Sequence, residues 1–340
     1  MARIGIIGVG KMGLSHLAIF GAHPDVEIVG IVEPQSFVAS AVKSQTGIET
    51  YKNHERLIDE TRPDAIVVAT PSVTHVEVAS YALEHDVQVF VEKPLTLSSA
   101  DSWRLSQLAV SRGLANQVGY HNRFIGTFQE VARLVQAGAV GQVYHVDGKA
   151  SGPVVTKPKT GFTWRSKKSE GGGCLHDYAS HVVDLMNFVV GPPKSVVGAR
   201  LHNIYSKDVE DAVYALFDYA GGFSGQLETN WSDETHRKMS TTIAVYGSHG
   251  KILADRQELQ VFLKKGASFE QYPEGWTTRY ITDLQAPVSY YLRGEEYSAQ
   301  VDAFVEAVDK RNPHPQNSFE SAYATDWTID RIIERDKAGR

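Results

Sequence analysis

Three stretches of this 340-residue chain combine residue types and spacings that do chemistry. Gly8-Val9-Gly10-Lys11-Met12-Gly13 follows an apolar run and opens an amphipathic one. In that context the first glycine permits a tight turn and the second lets backbone approach a pyrophosphate. The third lets helix and strand pack closely. The helix start adds unpaired N–H groups and a partial positive charge. Glu33, 20 residues past Gly13, closes the next apolar run. A carboxylate there accepts the ribose hydroxyls of an adenosine and repels a 2′-phosphate. No Lys or Arg follows until Lys43, so NAD is favoured over NADP. The competing reading of Glu33 is a solvated side chain at a loop start.

The second stretch is Gly171-Gly172-Gly173-Cys174, leading to Asp177 and His181. A spacing of four puts Asp177 and His181 on one face of a helix, and the glycines let that helix start approach a ligand. His suits a general base near neutral pH, and Asp177 can hold the imidazole or the substrate. The third is Glu92-Lys93-Pro94, closing an apolar run. An ammonium beside a reacting oxygen stabilises a developing alkoxide. Together these groups suit oxidation of a secondary alcohol, in which the hydroxyl proton and a hydride leave the same carbinol. Each has a plainer reading: Asp and His four apart often form a surface pair, and Lys93 could simply end a strand.

His176 points to another helix face than Asp177 and reads as structural. His176 and His181 are five apart, off a common face, so no metal is expected. Cys174 is the single cysteine, which excludes an intrachain disulfide. It lacks a resolving cysteine or adjacent base and reads as a small residue where backbone packs tightly.

The elements that must position these groups are legible in the periodicity. Apolar runs at 4–8, 28–32, 65–69 and 87–91, with a weaker one at 116–119, alternate with helical stretches at 12–22, 37–44, 76–84 and 99–112. Runs apolar on both faces fit strands of a parallel sheet covered on each side, so the first fold is a doubly wound α/β Rossmann sheet. From Ser195 the pattern turns to β, at 196–199, 212–219, 223–231, 241–246 and 259–263, with a hairpin signal at Ala220-Gly221-Gly222. Consecutive antiparallel strands fit an open-faced sheet, one face on helices and one free to meet a partner subunit. Two helices, near 296–308 and 319–335, finish the chain. The expected division is residues 1–121 for dinucleotide binding and 122–340 for substrate binding and oligomerisation.

Hydrophobic residues make up 42% and charged residues 22%, an ordinary globular balance, and the formal charge is −6. That modest charge gives no long-range attraction to nucleic acid or an anionic membrane. No apolar stretch approaches the roughly 20 residues needed to span a bilayer. The opening segment has none of the sections of a secretory signal, so a cytoplasmic address is expected.

With these motifs in view, the sequence resembles the Gfo/Idh/MocA family, which includes glucose–fructose oxidoreductase and inositol dehydrogenase. The matching residues are 8–13, Ala69-Thr70-Pro71-Ser72 with His75, Glu92-Lys93-Pro94, Trp164-Arg165, and 171–181 through Asp177 and His181. The resemblance spans residues 1 to about 260. It implies a Rossmann domain followed by an α/β domain with an open-faced, mainly antiparallel sheet, and Lys93, Asp177 and His181 as the catalytic set. It also implies a cis bond at Lys93–Pro94. On the cofactor it implies contacts from Gly8, Gly10, Lys11, Met12, Gly13, Glu33, Thr70, Pro71, His75, Glu92, Lys93 and Arg165. Ser72 stands where members often carry Asn. Residues 270–294 match no family pattern, so the substrate does not carry over.

The implied substrate class is a carbohydrate, cyclitol or nucleotide-sugar. Besides Lys93, Asp177 and His181, candidates to contact it are Tyr120, Asn122, Arg123 and Trp164; Arg123 equally suits an interdomain salt bridge. The stretch 272–297 is dense in aromatics, with Tyr272, Trp276, Tyr280, Tyr290, Tyr291 and Tyr297. Aromatic faces stack on sugars, and Arg279 or Arg293 could meet a phosphate or carboxylate, but a subunit interface has the same composition. A homo-oligomer, dimer or tetramer, is expected. Two other functions fit the motifs: a glycosidase or lyase that oxidises its sugar transiently, and a cofactor-binding regulator without catalysis. The second should lack Lys93 or the Asp177/His181 pair, and this chain keeps all three.

Overall fold

The computed structural model of the protein describes residues 1–155 and 164–339. It divides into two compact units, Met1–His121 with Pro287–Tyr323, and Asn122–Ala286 with Ala324–Arg340. Among the described residues, no helix is long and apolar enough to cross a membrane.

The first unit alternates β1 (Ala2–Ile7), α1 (Lys11–Ala22), β2 (Val26–Val32), α2 (Ser36–Thr46), β3 (Thr50–Tyr51), α3 (His54–Thr61), β4 (Ala65–Val68), α4 (His75–Glu84), β5 (Gln88–Val91), α5 (Ser99–Ser111) and β6 (Asn116–Val118). The six strands lie in the order β3-β2-β1-β4-β5-β6. Every pair is parallel. This is the doubly wound arrangement, and its strand order reverses between β1 and β4, where such sheets bind ligands. β4 and β5 are buried at every position, which is why they read as unbroken apolar runs. β3, two residues long, is too short to show any periodicity.

Residues 287–323 cluster with this unit and not with the second, to which the sequence reading gave them. The reason is apolar burial: Val301, Phe304 and Val308 join Ile4, Ile6, Phe20 and Phe90 in one core. The Phe304 ring meets Phe90 edge-on at 5.6 Å.

The second unit carries α6 (Gly126–Gln136), β7 (Val143–Ser151), α7 (Ser180–Val190), β8 (Ser195–His202), β9 (Ala212–Asp218), β10 (Ser224–Asn230), β11 (Ser240–Gly247), β12 (Gly250–Asp255), β13 (Glu258–Leu263), β14 (Gly275–Tyr280) and α8 (Ile281–Leu284). α9 (Glu295–Lys310) belongs to the first unit, and the division between units falls within α10 (Phe319–Ala338). The eight strands run β14-β13-β12-β11-β7-β10-β9-β8. β7 and β10 pair parallel and the other neighbours antiparallel. One face, with Val146, Leu227, Ile243, Val245 and Val261, packs with α6 and α7 into a single core. The other carries half-exposed Leu216 and Trp276.

β7, in the middle of this sheet, was not read from the sequence. Its inward residues are Val146, Gly148 and Ala150, kept small because α7 packs there. A Cβ on Gly148 would stand 2.6 Å from Met186 Sδ and Val182 Cγ1. Small inward residues alternating with His145, Asp147 and Lys149 erase the hydrophobic signal of a strand.

Candidate active site

In the first unit the glycine turn between β1 and α1 is shaped for a dinucleotide. Gly8 has φ +90, a backbone that glycine alone adopts without strain. A Cβ on Gly13 would lie 1.9 Å from the Gly8 carbonyl oxygen, while one on Gly10 would meet nothing within 4 Å. The third glycine is thus forced by packing and the second faces open space, as a docked pyrophosphate requires. Gly10 caps α1 without a side-chain hydrogen bond, and the first turn has no acidic residue. Its N–H groups and dipole therefore favour an anion. At the end of β2, Glu33 Oε1 accepts the Gln35 N–H at 2.9 Å, which fixes where the carboxylate sits.

His75 is 1% exposed. Its Nδ1 lies 3.0 Å from the Pro94 carbonyl oxygen and its Nε2 3.1 Å from that of Thr70. Read from the sequence as a cofactor contact, it lies between the loop after β4 and the loop after β5, with a carbonyl oxygen beside each ring nitrogen, and as a neutral ring it donates its one N–H to one of them. It positions Thr70, Pro71 and Pro94. Burial pushes its imidazole below the usual range, against the pull of those carbonyls.

Lys93 follows β5 directly, at the ligand-binding edge of the sheet, and the Lys93–Pro94 bond is cis. Glu92 does not offer a free carboxylate to a cofactor. Its Oε1 lies 2.6 Å from His16 Nε2 and its Oε2 accepts the Lys93 backbone N–H at 3.2 Å. Burial opposes ionisation of Glu92, but the hydrogen bond from His16, helped by the charge of Lys93, holds it below the usual carboxylate range. Tyr120 is 1% exposed and packs in this unit's core, so its ring is a structural element.

In the second unit, Gly171 and Gly173 have φ +79 and +110. A Cβ on Gly173 would lie 2.1 Å from Glu210 Oε1. Glu210 Oε1 accepts the Leu175 N–H at 3.0 Å, and burial raises its pKa. The glycines thus let a buried carboxyl anchor the start of the next helix. That helix begins with a π-helical turn, Leu175–Ala179, which runs into α7. Asp177 lies in the wide turn and His181 in the first turn of α7; they are 4% and 6% exposed. Wide turns of this type are frequent at functional sites.

Arg165, read from the sequence as a cofactor contact, donates from Nε to Asp177 Oδ2 at 2.9 Å. It aims the carboxylate. Trp164 begins the same short 3₁₀ turn, and its side chain lies outside the described residues. Arg123 forms a buried salt bridge, the alternative its sequence reading left open: it is 5% exposed and donates to both oxygens of Asp184, at 2.9 and 2.6 Å. A buried guanidinium needs such a partner. Burial raises the Asp184 pKa although Arg123 pulls it down. Asn122, fully buried, has no hydrogen-bond partner on either amide atom among the described residues. It retains the capacity to bind a ligand. Cys174 is buried and hydrogen-bonded to Thr229, and burial raises its thiol pKa well above the usual value, so it is no nucleophile.

His16 was not read from the sequence as a site residue, and Arg293 was read only as a cation that could meet a phosphate or carboxylate. The signal for His16 was available: a histidine three residues after Gly13, buried among apolar neighbours of α1.

Residues 2–120 match the family model described as oxidoreductase family, NAD-binding Rossmann fold, and residues 128–253 match the Gfo/Idh/MocA C-terminal domain. The chain belongs to the Gfo/Idh/MocA family. It is an NAD-binding oxidoreductase by that membership, and the glycine turn fits the cofactor. Among Gfo/Idh/MocA relatives, scyllo-inositol 2-dehydrogenase (NAD(+)) of Bacillus subtilis (strain 168) is 26% identical over 282 residues, 80% of each chain. The structure of GenD2 from gentamicin A biosynthesis in complex with NAD is 26% identical, with TM-score 0.80, covering 100% of this chain and 95% of the other. Levoglucosan dehydrogenase in complex with NADH and levoglucosan shares the Gfo/Idh/MocA fold at TM-score 0.87 and 22% identity, covering 100% and 98%.

Proposed function

We propose that the protein is an NAD-dependent dehydrogenase acting on a secondary alcohol of a cyclitol, sugar or nucleotide-sugar, with Lys93, Asp177 and His181 as its catalytic groups. The observation that carries this reading is the Asp177–His181 pair, buried on a glycine-led helix and aimed by Arg165. A pair that formed only a solvated surface contact would have neither the burial nor the clamp. The relatives named for scyllo-inositol and levoglucosan point to the same class of polyol.

NAD, when bound, takes the hydride. His181 accepts the hydroxyl proton as that hydride leaves, because an imidazole is the side chain suited to proton transfer near neutral pH. Asp177, held by Arg165, orients the imidazole or the substrate hydroxyl. The Lys93 ammonium stabilises the alkoxide character of the reacting oxygen. Asn122 supplies an amide to a neighbouring hydroxyl. Glu33 accepts the adenosine ribose hydroxyls and disfavours a 2′-phosphate.

The test is a panel of inositols, anhydrosugars, free sugars and nucleotide-sugars, each with NAD and with NADP, followed by formation of reduced cofactor. At least one polyol should reduce NAD, and NADP should serve poorly. A panel in which none reduces either cofactor, in a protein that binds NADH, contradicts the reading. We further propose that copies of the chain meet through the open face of the eight-stranded sheet, where Leu216 and Trp276 are half-exposed. Light scattering that finds only a 37.4 kDa species contradicts this.

A further inference from the structure

Pro287–Tyr323 brings to the first unit a cation that no motif announces. Arg293 has φ +70 and precedes Gly294, with φ +135, at the start of α9. A left-handed backbone is costly for a bulky side chain, and such conformations cluster where a site needs them. The guanidinium it presents is closely held. Nη1 donates to Ser15 Oγ at 2.5 Å, Nη2 lies 3.4 Å from Met12 Sδ, and the group sits 5.0 Å above the Tyr297 ring. Tyr297 stacks in turn on His121, ring centres 4.9 Å apart and 18° from parallel.

What this cation lacks is a counter-charge. Among the described residues no carboxylate pairs with Arg293, although the chain has more acids than bases. Its contacts are a hydroxyl, a thioether and an aromatic face. The ground beneath it is positive as well: Lys11 opens α1, whose first turn holds no acid and whose cap leaves its N–H groups unpaired. The guanidinium thus lies against the first turns of α1, on Met12 and Ser15, where the helix start carries a lysine and no acid. Met12, which Arg293 touches, is itself part of the glycine turn.

We propose that Arg293 is a cofactor-positioning residue whose guanidinium neutralises the pyrophosphate of the dinucleotide docked on α1. The inference rests on the NAD part of the functional reading and is independent of the roles given to Lys93, Asp177 and His181. The plainer alternative makes Arg293 a staple that ties α9 to α1 with no ligand role. The two differ in what they do to anion binding. Ser15 and Tyr297 hold the guanidinium in place before the cofactor arrives, so its contribution should fall on the phosphates and not on the adenosine.

The test compares R293M and wild type by calorimetric titration with ADP-ribose and adenosine and by fluorescence titration with NADH. R293M should weaken ADP-ribose and NADH roughly tenfold or more, as for a lost charge-assisted hydrogen bond. The loss should shrink at high salt, and adenosine should bind as before. R293Q, which keeps a donor for Ser15 without the charge, should show the same pattern if the Met variant does not fold. Equal ADP-ribose affinity in folded variant and wild type overturns the proposal, as does an equal loss for adenosine, the mark of a staple. Wild-type protein that does not bind NADH would instead overturn the cofactor assignment.

Discussion

His16 and Glu92, 76 residues apart in the sequence, meet with His16 Nε2 2.6 Å from Glu92 Oε1. The contact joins the helix of the glycine turn to the residue beside Lys93, so α1 and the end of β5 share one partly buried hydrogen bond. Because Glu92 is held ionised, the imidazole N–H donates.

This pair predicts a specific pH dependence. The Glu92 pKa is depressed in the folded protein. Its contribution to stability is therefore present above the unfolded carboxyl value and lost as pH falls through the folded value. Glu92→Gln should melt below wild type at neutral pH, by a margin corresponding to about 2 kcal/mol for a charged hydrogen bond. Thermal melts over a falling pH series should show the gap closing once the medium drops below the ordinary carboxyl range. A gap constant across that range would place the effect elsewhere.

Arg165 separates positioning from cofactor binding. With its Nε on Asp177 at 2.9 Å, Arg165→Met should lower kcat by about tenfold while leaving NADH affinity unchanged. Arg165→Lys should recover only part of it, since a lysine lacks the planar fork. A variant that instead loses NADH affinity with kcat intact returns Arg165 to the cofactor.

Arg123 and Asp184 form a buried pair at 2.6 Å, with side chains 6% and 0% exposed. Removing one partner leaves a charge stranded, so Arg123→Met should destabilise the protein by about 3–5 kcal/mol. Arg123→Met with Asp184→Leu should restore much of that. Denaturant unfolding of the single and double variants reads this directly; equal losses in both would mean the pairing is not the cause.

These cases show what the sequence could and could not convey. The glycine turn was legible because Gly8 and Gly13 are forced locally, by a positive φ and by neighbouring backbone, in a strand–turn–helix context. The placement of Lys93 just after β5 was legible from the apolar run that precedes it. The Arg123 salt bridge was open to either reading, since its partner lies 61 residues on and only burial decides between them. Glu92 and His75, read as touching cofactor, also make contacts within the protein that no motif announces. Arg293 reaches Ser15 across 278 residues, in a stretch outside any family pattern. The helix after it carried only a generic apolar spacing, which marks a buried face without saying which core it joins.

The central claim is that Lys93 acts on the reacting oxygen. Steady-state turnover of Lys93→Ala on any polyol that reduces NAD, measured beside its NADH affinity, tests it most directly. The account predicts a turnover loss of about 10²-fold or more with NADH affinity preserved. Turnover near that of wild type would contradict it.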